Sequence, residues 1–154
     1  MALIILLLVL IAGCQSPSPA AKVTPVIVGD TIIKVTQVID GDTIIVEGDY
    51  RVRYIGIDTP EVYPEVEAFG MEAWQANRRL IEGKEVRLER DVSETDKYGR
   101  LLRYVYVDDV LVNAELVKQG LALTKAYPPD TKYQDYLEEM EAEARNAGRG
   151  MWAK

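Results

Sequence analysis

The chain reads as an α+β protein, a small Greek-key β-barrel with helices inserted and appended. Three observations predict it. Five short segments, three of them consecutive, carry the alternating or all-apolar pattern of strands. Three further stretches place apolar residues at helical spacing, each closed by a glycine. A composition of 48% apolar and 28% charged residues over 154 positions suits one domain with a buried core and room for an appendage.

The appendage comes first. Leu3 to Ala12 is unbroken apolar sequence, too short for a bilayer span of about 20 residues and suited to the h-region of a signal peptide. Ile11-Ala12-Gly13-Cys14 resembles a bacterial lipobox, which makes residues 1–13 a signal and Cys14 the lipidated first residue of the mature chain. No Lys or Arg precedes the apolar run; an ordinary cleaved signal and a short anchor with a buried free cysteine are the other readings. Residues 14–30 read as a linker, since Ser16-Pro17-Ser18-Pro19 has no apolar period and proline at alternate positions. The expectation is an exported domain over 31–154, held at the outer face of a membrane through Cys14, or secreted if Cys14 is not acylated.

From Thr31 the pattern is that of strands. Ile32, Ile33, Val35, Val38 and Ile39 make the first, and Ile44, Ile45 and Val46 the second. Gly48-Asp49 reads as a hairpin turn. Tyr50 to Ile57 is a third strand, with Val52 and Tyr54 on one face and Arg53 on the other. Phe69, Ala73, Ala76 and Leu80 then predict a helix over 69–82, with Gly83 at its C-terminal cap. Glu85 to Glu89 alternates Val86 and Leu88 with charge, as a half-exposed strand does. Asp96-Lys97-Tyr98-Gly99 has the Asp-first, Gly-fourth preference of a type I turn, and Leu101 to Val107 is the returning strand. Asn113 is placed to cap a short helix ending at Gly120. Pro128-Pro129-Asp130 stops one segment and caps the last helix, whose apolar stripe is Tyr133, Tyr136, Leu137, Met140 and Ala144. After Gly148 and Gly150, Trp152 is expected to fold back onto the core. The best-known barrel of five strands is the OB-fold, whose strand face and loops bind oligonucleotides, although strand count does not fix that topology.

The chain has no histidine and one cysteine. That excludes Ser-His-Asp and Cys-His catalysis, histidine-bearing zinc sites, an internal disulfide and thiolate metal clusters. Chemistry is left to carboxylates, Arg, Lys, Tyr, hydroxyls or a hard cation. The net charge of −7 is not that of a generic nucleic-acid binder, so attraction to phosphate must come from a local cluster of Arg and Lys.

The window from Val38 to Glu61 holds the charges that a buried strand does not tolerate unless they face a site. Asp40 and Asp42 flank Gly41, which lets the backbone turn tightly and bring two carboxylates toward one point. Asp58 ends the third strand and meets Asp42 if the first three strands are neighbours. Thr59 precedes Pro60 and is biased to an extended conformation, so its carbonyl is a candidate cation ligand. Two carboxylates, a carbonyl and waters suit calcium. Arg53 and Arg100 offer planar forks of donors to phosphate oxygens, and Glu61 is placed to take a proton from an attacking water. Taken singly, each Asp is more readily a turn or strand-end acid and each Arg a solvated edge-strand arginine. Glu61 is also readable as a surface loop acid. Together these residues point to a phosphodiester.

Four ordered motifs sharpen this. They are Val38-Ile39-Asp40-Gly41-Asp42-Thr43, Arg53 with Asp58-Thr59-Pro60-Glu61, Asp96-Lys97-Tyr98-Gly99-Arg100, and Val112-Asn113 running to Gln119-Gly120-Leu121-Ala122. On these the stretch from Thr31 to Trp152 resembles staphylococcal nuclease and the wider thermonuclease family. The resemblance implies an α+β fold, a five-stranded OB-fold β-barrel with three α-helices. It implies calcium-dependent endonuclease action on DNA and RNA, single strands preferred, with little sequence specificity and 3′-phosphate products. It further implies one Ca2+ held by Asp42, Asp58 and the Thr59 backbone carbonyl, with Asp40 in support through water. Arg53 and Arg100 then hold the scissile phosphate, Glu61 is the general base, and Lys97 and Tyr98 contact a neighbouring phosphate. The sequence departs from the family where its stacking tyrosines precede the last helix: Tyr127 stands there between Ala126 and Pro128, and is left to stack a base. Its acidic balance is a second departure. The other expectation is a catalytically silent barrel that binds nucleic acid or protein; no obligate protein partner is indicated.

Overall fold

A computed structural model describes residues 31–154. The expected signal, linker and lipidation site at Cys14 lie outside the described residues. Among the described residues no helix is long and apolar enough to cross a membrane. In chain order the elements are β1 (Thr31–Val38), β2 (Thr43–Val46), β3 (Tyr50–Tyr54), β4 (Ile57–Asp58), α1 (Gly70–Ile81) and β5 (Glu85–Glu89). They continue with β6 (Leu101–Val107), β7 (Val110–Leu111), α2 (Val112–Lys118), β8 (Leu123–Thr124), α3 (Gln134–Ala147) and a 3-10 turn at Gly150–Trp152.

The barrel runs β3-β2-β1-β5-β6 and closes where β6 pairs back onto β3 in parallel, Val52 opposite Leu101 and Arg53 opposite Leu102. β1 serves both halves: Thr31 to Lys34 pair with β5, and Val35 to Val38 with β2. The register slips between Val35 and Gln37, a bulge at Thr36 that bends the strand around the barrel. This is the expected five-stranded OB-fold barrel with three helices. Alternate side chains fill its interior, with Val35, Ile44, Val46, Val52, Leu88 and Val105 fully buried. Ala73, Ala76 and Ile81 form the buried face of α1, joined by Asn77, whose amide oxygen accepts the Tyr54 hydroxyl at 2.9 Å. α2 packs against α3, and the C-terminal turn is tied to its end by the Met151 N–H, which donates to the Gly120 carbonyl at 2.9 Å.

Five local expectations are corrected. The third strand is not continuous to Ile57. It breaks at Gly56, whose φ of 78° suits a residue without Cβ, and Ile57–Asp58 leaves to pair with Leu123–Thr124. Asn113 does not cap α2, which starts at Val112 after Leu111. It is fully buried, accepting the Val105 N–H at 3.0 Å and donating to the Ile55 carbonyl at 2.9 Å, two groups that the chain break leaves without other pairing inside the core. Asp130 does not cap α3, where Tyr133 holds that position; its carboxylate accepts the Val92 and Ser93 N–H groups at 3.0 and 2.8 Å. Tyr136 stays 45% exposed, and Trp152 lies half-buried under the Arg145 guanidinium at 4.3 Å rather than in the core.

Candidate active site

One end of the barrel opens into a cleft of about 670 Å³. Asp40, Asp42, Arg53, Asp58, Glu61, Lys97, Tyr98, Arg100 and Tyr127 all line it, so the residues singled out in the sequence for this site converge there, Thr59 excepted.

The Asp40–Asp42 corner is an Asx turn in which Asp40 Oδ1 accepts the Asp42 N–H at 2.9 Å. Gly41 serves it differently from expectation. Its φ is not positive; instead, a Cβ there would fall 2.6 Å from Thr59 Oγ1 and 2.7 Å from Thr59 Cβ. The glycine lets Thr59 back directly onto the corner. Thr59 is not a lining residue: its N–H and hydroxyl both donate to Asp42 Oδ2, at 2.8 and 3.0 Å. Asp42 is 5% exposed, and its other oxygen accepts the Thr43 hydroxyl at 3.2 Å.

Arg53 stands opposite Thr43 in the β2–β3 ladder and bridges two acids. Its Nη1 pairs with Asp42, and its Nη2 lies 2.6 Å from Asp58 Oδ1. Burial pushes the guanidinium pKa down while Asp58 opposes that shift. Burial likewise pushes the Asp40 carboxyl up, against the pull of Arg53. Asp40 is anchored from behind by Asn77, whose amide donates to its carbonyl at 3.1 Å.

Glu61 stands at the mouth. Its main chain is clamped by Glu67: the Glu61 N–H donates to Glu67 Oε2 and the Glu67 N–H donates to the Glu61 carbonyl, both at 2.9 Å. A Cβ on Gly70 would lie 2.4 Å from that same carbonyl, so the glycine opening α1 is required for the approach. Partial desolvation, then repulsion from Asp40, raises the Glu61 pKa. On the facing wall, Asp96 Oδ1 accepts the N–H groups of Tyr98 and Arg100 at 2.9 and 3.0 Å. Asp96 Oδ2 accepts Arg100 Nε at 2.7 Å, which leaves the end of the fork free to face the cleft. Lys97 and Arg100 both sit beside the exposed Tyr98 ring, at 5.0 and 5.5 Å.

Three contributors were not singled out from sequence. Asp96 stood inside a recognised motif, but as a turn former rather than as the clamp on Arg100. Asn77 had no signal beyond an amide on the apolar face of a helix. Lys125 lines the cleft with its Nζ 2.8 Å from Asp58 Oδ2, and nothing local foretells that contact.

Among the described residues no three His, Cys, Asp or Glu side chains gather as a ready-made metal cluster. Two acids do converge, Asp42 and Asp58, drawn to one guanidinium. With main-chain carbonyls and water they form an all-oxygen donor set, which fits a hard divalent cation and no soft one.

Barrel and cleft together define an OB-fold domain whose acids and arginines meet at one end of the barrel. Residues 51–154 match the family profile described as "Staphylococcal nuclease homologue". The chain is 41% identical over 109 residues to the thermonuclease of Staphylococcus intermedius, covering 69% of this chain and 65% of that one. It is 38% identical over 138 residues to the thermonuclease of Staphylococcus hyicus, covering 86% and 75%. It is 42% identical over 108 residues to the SPbeta prophage-derived endonuclease YokF of Bacillus subtilis (strain 168), covering 67% of this chain and 36% of that protein. The chain belongs to the staphylococcal nuclease family.

Proposed function

We propose that the chain is a calcium-dependent phosphodiesterase that cuts DNA and RNA internally with little sequence preference, favours single strands and leaves 3′-phosphate ends. The observation that carries this reading is the meeting of Arg53, Arg100, Glu61, Asp42 and Asp58 on one cleft. Relatives named thermonuclease and endonuclease support it.

Glu61, with its raised pKa, accepts a proton as a water oxygen attacks phosphorus. The bond from phosphorus to the 5′-oxygen breaks, and that oxygen leaves with a proton taken from solvent. Arg53 and Arg100 donate to the phosphoryl oxygens as charge builds on the five-coordinate phosphorus. Asp42, Asp58 and the Thr59 carbonyl, with Asp40 through water, would hold a calcium ion, which would supply further positive charge to the reaction. Lys97 and Tyr98 engage a neighbouring phosphate, and Tyr127, 50% exposed, stacks a base. The apolar run before Cys14 supports export, with an acyl chain tethering the domain to a membrane surface.

In the deciding assay, single-stranded DNA and RNA are degraded with calcium and spared with chelator, and the product ends need phosphatase treatment before 3′ extension. Glu61→Gln slows the reaction about 10²–10⁴-fold. Cleavage indifferent to both chelator and Glu61→Gln overturns the reading.

A further inference from the structure

The cleft holds one cation that this chemistry leaves without a role. Lys125 stands one residue beyond β8, and its backbone is fixed: its N–H donates to the Gly56 carbonyl at 2.9 Å. β8 pairs with β4 so that Leu123 lies opposite Asp58. In an antiparallel pair the residue two positions on from Leu123 is the diagonal same-face neighbour of Asp58. That residue is Lys125, and its Nζ lies 2.8 Å from Asp58 Oδ2. The other Asp58 oxygen is taken by Arg53 at 2.6 Å. Both oxygens of this carboxylate are therefore engaged by the protein's own cations, and backbone pairing sets one of them in place. The ammonium has an alternative partner close by, since the Tyr127 ring centre lies 5.3 Å away.

We propose that Lys125 is a positioning residue that competes with the divalent cation for Asp58 and so sets how much cation the cleft requires. The inference rests on the metal reading above. A cation approaching Asp58 must turn the ammonium aside and then sit beside its positive charge. Arg53 has the scissile phosphate to turn to; Lys125 has the face of Tyr127.

The test is calorimetric titration of calcium into the full-length chain at low ionic strength, where screening is weak. Asp58 and Lys125 are 37% and 47% exposed, which limits the effect to that of a solvated pair. Lys125→Met lowers the calcium Kd about twofold to fivefold, and Lys125→Arg, which keeps the charge, binds as the wild type does. Raising the salt concentration narrows the gap between Lys125→Met and wild type. Circular dichroism without calcium confirms folding, and Lys125→Gln stands in if Lys125→Met does not fold. A Kd in the neutral variant equal to or higher than that of wild type overturns this inference alone. Absence of calcium binding by wild type and both variants overturns the metal reading and this inference with it.

Discussion

Replacing Asn113 with aspartate separates two roles that suit an asparagine at the start of a helix. Asp and Asn are equivalent N-caps, so a capping residue tolerates the exchange. Here Asn113 is fully buried, accepting the Val105 N–H at 3.0 Å and donating to the Ile55 carbonyl at 2.9 Å. Aspartate keeps the acceptor and loses the donor, so the Ile55 carbonyl faces a second oxygen. An orphaned buried carbonyl costs about 1–3 kcal/mol, and a buried charge with one hydrogen bond adds at least as much, giving a loss of about 3–5 kcal/mol at pH 7. Asn113→Ala orphans both backbone groups and costs about 2–5 kcal/mol. Urea unfolding followed by tryptophan fluorescence reads the midpoint at constant m-value. The aspartate variant also carries a sign. Burial raises the new carboxyl's pKa in the folded state, so the folded protein holds the proton more tightly than the unfolded chain does. The penalty is full above the folded pKa and is relieved as pH falls through it, when the O–H donates to Ile55. Asn113→Asp within about 1 kcal/mol of wild type at pH 7 refutes the bridging role and restores the cap.

Gly41→Ala drives a methyl into Thr59 and should cost about 1–3 kcal/mol while disturbing the Asp42 hydrogen bonds; an unchanged melting temperature counts against the close-approach argument. Because the Glu61 pKa is raised, the acidic limb of kcat/KM should lie above the ordinary carboxylate range and vanish from the residual activity of Glu61→Gln, which a pH–rate profile checks. Burial pushes the Glu89 pKa up, but Lys132 at 2.5 Å, Tyr133 at 3.0 Å and Arg87 outweigh it and hold the carboxyl below its usual value. Its stabilisation is thus present above the unfolded pKa and lost as pH falls through the folded one, so Glu89→Gln should flatten the acid decline of urea midpoints below about pH 4.3. Arg100→Lys, which cannot reproduce a forked contact, should slow cleavage about 10²-fold with an unfolding midpoint close to wild type; an equal loss in both would make the residue structural.

The residues that spoke plainly in the sequence are those whose partners are close in chain or whose pattern repeats. Gly48 and Asp49 both have positive φ, as the hairpin turn requires, β5 alternates as its sequence does, and the spans of β5 and β6 match the expected Glu85–Glu89 and Leu101–Val107. Asp58 and Glu61 were legible as site acids because they lie in a motif. What could not be read has no period. β4 and β8 are two residues each, too short to alternate, and their pairing places Lys125 against a carboxylate 67 positions away. Asn113 and Asp130 both look like helix starts because capping chemistry is local. Their actual partners, Ile55 and Val92, are 58 and 38 positions off. Side chains that satisfy distant backbone are invisible until the chain has folded around them.

The parallel seam joining β3 to β6 reaches beyond architecture. Arg53 stands on one lip of it, across from Leu102, and Arg100 enters just ahead of Leu101 on the other. Neither guanidinium can meet the other until the ring of strands has met itself end to end. On the proposed function, an intermediate with the hairpin and helices formed but the ring open has half a grip on a phosphate and does not cut. Closure of the barrel is then what arms the chain, because only the closed ring brings both guanidinium groups to one cleft.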